Sequence, residues 1–219
     1  MCFSAEADVV AGLVVGGIGI DALRHVHRPA ENLLAALPVV LGAHQLIEAF
    51  VWWGAEDRVP HDVSRVAVWL YLSIAFGLLP VFVPLAVGAL EPAANVRRIR
   101  VFAVAGVAVA VVLMYAVVRG PVDASIEGRH IDYRVELSSG GAIVALYVAA
   151  TCGSMLVSKH RHVRWFGAAN LCAVGALAWL NQSALISLWC VWAAATSVAI
   201  AVHIRYAEQE PKDGALPAR

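Results

Sequence analysis

His44 and Glu48 stand four residues apart in a run, from Leu33 to Trp53, that is otherwise almost entirely apolar. On a helix that spacing puts the imidazole and the carboxylate on one face, with the Gln45 amide beside them. Three chemistries are open to this group. It can hydrogen-bond to another helix and fix its packing. It can ligate zinc or iron, His44 and Glu48 being competent donors one turn apart and Cys2 a candidate third. Or it can relay protons or neutralise a bound ligand in a transporter or sensor. Ionisable residues at membrane depth are costly and mark such pathways.

Cys2 has its own argument. Removal of Met1 is expected, because cysteine is small, and would leave a thiol beside a free α-amine. That pairing is a nucleophile with a built-in base or a two-atom metal chelate. The plainer reading makes Cys2 the residue before a helix cap. Ser4 then caps the first helix, and Glu6 and Asp8 favour the positive end of its dipole.

The elements that position these residues follow from composition. The 219 residues are 61% hydrophobic and 15% charged, with a mean hydropathy of +0.74. Soluble domains lie near half apolar and about a quarter charged, so the chain reads as a single integral membrane domain in the lipid bilayer. Its formal net charge is zero and its basic residues form no patch, which excludes nucleic acid as a partner. Cys2, Cys152, Cys172 and Cys190 have no CxxC spacing, and the last three fall in apolar runs as small packing residues. The first apolar segment has no basic stretch ahead of it and is expected to be a span, not a cleaved leader.

A span needs roughly 20 mostly apolar residues. Seven such segments are expected, near residues 5–23, 32–53, 66–90, 99–118, 140–157, 163–181 and 184–204, forming an all-α bundle over 1–206 with a disordered tail at 207–219. Pro29, Pro60 and Pro92 punctuate the first three breaks. Eleven Lys and Arg residues, including Arg24, Arg97, Arg98, Lys159 and Arg164, fall in the first, third and fifth loops and the tail. Only five, Arg58, Arg65, Arg119, Arg129 and Arg134, fall on the other side, mixed with acids. The positive-inside rule then predicts the amino terminus outside and the carboxyl terminus in the cytoplasm, which requires an odd number of spans.

In that orientation His44 lies just past mid-membrane and Glu48 nearer the outer face. Tyr115, Asn181 and Gln182 are expected at the same depth, with Ser187 and Cys190 early in the seventh span. In the long loop 119–139, Ile131, Tyr133, Val135 and Leu137 alternate with Asp132, Arg134 and Glu136, the period of a short strand or hairpin over the outer mouth.

The opening Met1-Cys2-Phe3-Ser4-Ala5, the stretch His44 to Glu48 with Trp52-Trp53 after it, and His130-Ile131-Asp132-Tyr133 together resemble a family of uncharacterised bacterial seven-span proteins. The resemblance implies a multi-pass protein of the bacterial inner membrane and assigns no activity. Two other seven-span classes fit less well. Microbial rhodopsins carry retinal on a lysine of the last span, whereas Lys159 and Lys212 both lie outside the spans, so retinal is excluded. Alkaline ceramidases use a His-x-x-x-His pair there, and this chain offers only His203.

The reading is therefore a seven-helix bundle with an outward polar pocket of His44, Gln45, Glu48, Tyr115, Asn181 and Gln182, binding a small ligand or metal as a sensor or transporter. The alternative is a membrane metalloenzyme acting on lipid or a reactive small molecule through Cys2, His44 and Glu48. A purely structural His44/Glu48 pair is the third reading. Oligomeric state is left open.

Overall fold

The computed structural model describes residues 4–127, 130–135, 140–180 and 195–202. Helix α1 spans Ala5–Arg24 and α2 Asn32–Ala55. Then α3 (His61–Leu72) and α4 (Leu79–Leu90) are joined by a π-helical turn, Ser73–Leu78, into one rod. Helix α5 (Ala93–Arg119) leads to strands β1 (Val122–Glu127) and β2 (His130–Val135), followed by α6 (Gly140–Leu156) and α7 (Arg161–Leu180). Residues 195–202 are also helical. The protein is thus mostly helical, and among the described residues Pro29–Ala55, His61–Leu90 and Ala93–Arg119 are long and apolar enough to cross a membrane. The expected polar tail and most of the expected seventh span lie outside the described residues.

Helices α1 and α2 pack closely along their length and run antiparallel. Its buried stripe on α1 is Ala5, Asp8, Gly12, Val15, Gly19 and Ala22, the three-or-four spacing of one helix face. A Cβ on Gly42 would meet the Gly16 amide nitrogen at 2.5 Å, and one on Gly19 would meet the Val39 nitrogen at 2.5 Å. Backbone rests on backbone here, as small residues permit between membrane helices.

The π turn has a local cause. The Leu79 amide donates to the Ile74 carbonyl, one residue further back than in an α-helix. In that register the Ala75 carbonyl would accept from residue 80, which is Pro80 and has no N–H. The Tyr147 hydroxyl of α6 fills the gap, donating to Ala75 at 2.9 Å. The same proline brings α5 close, because a Cβ on Gly106 would collide with the Pro80 carbonyl oxygen.

Two apolar cores stack along the bundle. One, at the hairpin end, gathers Ala49, Val51, Trp52, Val68, Leu72 and Ile131. The other gathers Val15, Leu37, Leu41, Val83, Ile99 and Met155. The hairpin is antiparallel, with Ala124 opposite Tyr133 and Ser125 opposite Asp132. Alternation sends Ile131, Tyr133, Val135, Val122 and Ala124 against the first core, while Arg134 pairs with Asp132 at 3.0 Å on the exposed side. The strand predicted from the 131–137 alternation is therefore present, and its apolar face covers one end of the bundle.

The opposite end is held by Glu91, which sequence reasoning treated only as part of a loop. Its side chain accepts from Ser158 Oγ, from the Lys159 amide at 2.9 Å and from Asn95 Nδ2 at 2.7 Å. Asn95 also donates to the Val157 carbonyl at 3.2 Å, so the α4–α5 and α6–α7 turns are clamped together. Burial pushes the Glu91 carboxyl up, but the hydrogen bonds from Ser158, Asn95 and Lys159 outweigh it and hold the group below its ordinary value of 4.5.

Two predictions follow from this packing. Gly106→Ala should cost about 1–3 kcal/mol of stability by overpacking, whereas Gly17→Ala, whose Cβ meets nothing within 4 Å, should change it by less than about 1 kcal/mol; unfolding of both variants in detergent checks the contrast. A depressed folded value means that the Glu91 contribution is present above the unfolded carboxylate value and lost as pH falls through the folded one. Glu91→Gln should therefore be about 1–3 kcal/mol less stable at neutral pH, with the gap closing on acidification, as pH-dependent denaturation curves would record.

Candidate functional site

The layer between the two cores is polar. On α2 the buried face continues from Leu41 through His44, Gln45 and Glu48 to Trp52. Across the α1 contact from them is Asp8, fully buried at 0% exposure, while Glu48 is 1% exposed. Each sits where it does because the glycine contact forces α1 and α2 together: Gly12 lies against Leu46 and Gly42, and one turn back from Gly12 brings Asp8 to the level of Glu48 and Trp52. The two carboxyls are electrostatic neighbours.

Ser4 caps α1, and Glu6 and Asp8 stand in its first turn as expected. Glu6 is exposed and reaches Arg58 at 3.5 Å. Asp8 also occupies the stripe facing α2. The signal was present in the sequence, since Asp8 falls in register with Ala5, Gly12, Val15 and Gly19.

Three rings line the layer. The His44 imidazole stacks on Tyr71 of α3 with centroids 4.0 Å apart and planes at 26°, and Tyr71 stacks on Tyr133 of β2 at 4.5 Å and 8°. Tyr71 is also an electrostatic neighbour of Glu48. One ladder of side chains therefore joins α2, α3 and the hairpin. The π turn begins two residues after Tyr71, at the same level, and such turns are frequent at functional sites.

The layer is short of hydrogen bonds. Both Asp8 carboxylate oxygens, Glu48 Oε1, both Gln45 amide atoms, His44 Nε2, Trp52 Nε1 and the Tyr133 hydroxyl are buried with no protein partner among the described residues. Trp52 lies on the Asp8 side without closing a hydrogen bond to it. An unmade hydrogen bond at a buried polar atom costs about 1–3 kcal/mol, so several together are a poor way to hold helices in place. They are a reasonable way to receive a proton or a cation.

Of the other residues expected in the pocket, Tyr115 is not brought in. It is 60% exposed on α5, with the Arg119 guanidinium 5.4 Å from its ring centre. Helical phase explains this: α5 buries Gly106, Val109, Ala110, Leu113 and Val117, and Tyr115 lies on the outward side of that stripe. Cys2, Asn181, Gln182, Ser187 and Cys190 lie outside the described residues. Among the described residues no three His, Cys, Asp or Glu side chains converge as metal ligands; the set of Cys2, His44 and Glu48 includes a residue outside them.

Neutralising a carboxyl tests what the layer is for. If Glu48 is kept at a cost to stability, Glu48→Gln should leave the unfolding free energy unchanged or raise it by up to about 2 kcal/mol. A loss larger than that in thermal or denaturant unfolding would make Glu48 a structural tie.

No curated protein and no solved structure matches the chain. A family model described as a family of unknown function, DUF6629, matches residues 1–214, and the chain belongs to that family.

Proposed function

We propose that this is a seven-span membrane protein, amino terminus outside, that binds a small ligand of positive charge in its outward half, acting as a sensor or transporter. The single observation that carries the reading is the Asp8–Glu48 pair. Two carboxyls that are electrostatic neighbours are both buried, and three of their four oxygens lack a protein partner among the described residues. Carboxylates in apolar surroundings are neutralised by a proton, a metal or an ion pair. A proton or a single metal ion would meet that need, with His44, Tyr71 and Trp52 in the same polar layer.

The metalloenzyme alternative is built on Cys2, His44 and Glu48, of which Cys2 lies outside the described residues. The polar layer, by contrast, has the composition of a site that exchanges its occupant. The hairpin covers it on the outer side, and the basic residues at the Glu91 end agree with that end facing the cytoplasm.

Infrared difference spectra of the purified protein, with and without added Zn²⁺, test this reading. The parent should give a protonated-carboxyl C=O band that weakens in Asp8→Asn and Glu48→Gln and is converted to carboxylate when Zn²⁺ displaces the proton. Identical spectra for the parent and both variants would contradict it.

A further inference from the structure

The two ends of the bundle treat their basic residues differently. At the hairpin end Arg58 meets Glu56 at 3.1 Å, Arg65 meets Asp62 at 3.0 Å and Arg134 meets Asp132 at 3.0 Å, so these guanidiniums are matched by the protein's own acids. At the other end, segments 90–100 and 156–164 carry Arg97, Arg98, Arg100, Lys159, Arg161 and Arg164 with a single acid, Glu91. All six cations are exposed. Among the described residues none of them forms an ion pair, and the Glu91 carboxyl is already engaged by Ser158, Asn95 and the Lys159 amide.

The Glu91 clamp gathers these charges. Glu91 and Asn95 tie the start of α5 to residues 157–159, and His160 Nε2 lies 3.0 Å from the Leu90 carbonyl. Arg97 and Arg98 follow Asn95 within one helical turn, and Arg161 follows Lys159 by two residues, so both basic segments open from one junction. The surface beside them is apolar. On α5 the exposed face passes from Arg97 to Val101 and Val104, 67% and 69% exposed, at the four- and seven-residue spacing of one helix face. On α7 it passes from Arg161 to Trp165, 66% exposed, and from Arg164 to Leu171. Cations bordering a bare apolar surface, with a tryptophan at the boundary, match the headgroup and acyl chains of a lipid.

We propose that the turns joined by Glu91 form a binding site for anionic phospholipid, with Arg97, Arg98, Arg100, Lys159, Arg161 and Arg164 taking the phosphate headgroup and the exposed faces of α5 and α7 taking the acyl chains. Arginine predominates in the set, and its planar fork pairs with phosphate through two parallel hydrogen bonds. The adjoining apolar faces assign the phosphate to a lipid and not to a soluble anion. The site lies away from the hairpin end and uses neither Asp8 nor Glu48.

Native mass spectrometry of the full-length protein in detergent, titrated with phosphatidylglycerol or with phosphatidylcholine, tests the site. Phosphatidylglycerol should be retained at lower concentration than the zwitterionic lipid. Each basic residue near an anionic lipid surface is worth roughly fivefold in affinity. The double variant Arg97→Gln, Arg161→Gln, with one change on each side of the clamp, should therefore weaken phosphatidylglycerol binding by about tenfold or more, whereas Arg58→Gln at the hairpin end should leave it unchanged. Glu91→Gln separates an organised site from diffuse charge: it removes an acid, which by itself favours an anion, yet it should weaken binding because the two turns are no longer held together. Equal retention of both lipids by the parent, an equal loss in Arg58→Gln and the double variant, or tighter binding by Glu91→Gln would overturn the proposal. Displacement of the lipid by inorganic phosphate, under conditions where chloride of the same ionic strength does not displace it, would also overturn it in favour of a soluble anion.

Discussion

The bundle depends on the backbone contact between α1 and α2. Glycine at 19 and 42 lets the backbones of the two helices come into contact, and the polar layer is arranged around that approach. A larger residue at Gly42 would push α1 outward and take Asp8 away from Glu48. The carboxyl pair is thus a consequence of helix packing and not of any local sequence motif. That explains why two acids 40 positions apart in the chain share one site.

The cost of the site is set by where it lies. Apolar cores lie on either side of it, and the hairpin shields one end with Ile131, Tyr133 and Val122. Water is kept away, which strengthens every electrostatic interaction inside. The same exclusion makes two neighbouring carboxyls expensive unless something positive joins them. The Glu91 clamp at the other end offers a contrast within one molecule: there an acid is surrounded by donors and stays charged, holding two turns together. Among the described residues Glu48 Oε1 has no hydrogen-bond donor.

Much of this architecture was legible in the sequence. Apolar length placed the helices, and the helix α2 face carrying His44, Gln45 and Glu48 followed from spacing alone. The alternation in 131–135 gave the second strand, and with it a reason to look above the bundle. What escaped was interhelical. Asp8 was explained by its position in the first turn, a local effect that hid its place in the buried stripe. Tyr71 had no signal, since an aromatic residue in an apolar helix is ordinary, and only its stacking between His44 and Tyr133 distinguishes it. Tyr115 was grouped by depth, whereas rotation about the helix axis decides what a side chain faces. Glu91 needed the packing of a turn 67 residues away before its role could be seen.

The central claim is that Asp8 and Glu48 form one site. A double-mutant cycle of Asp8→Asn and Glu48→Gln on the free energy of unfolding measures it directly. Adjacent carboxyls predict strong non-additivity, a coupling of about 1 kcal/mol or more, because either neutralisation already relieves the interaction that the other would remove. Additivity to within about 0.5 kcal/mol would mean that the two acids do not sense each other, and would contradict the account.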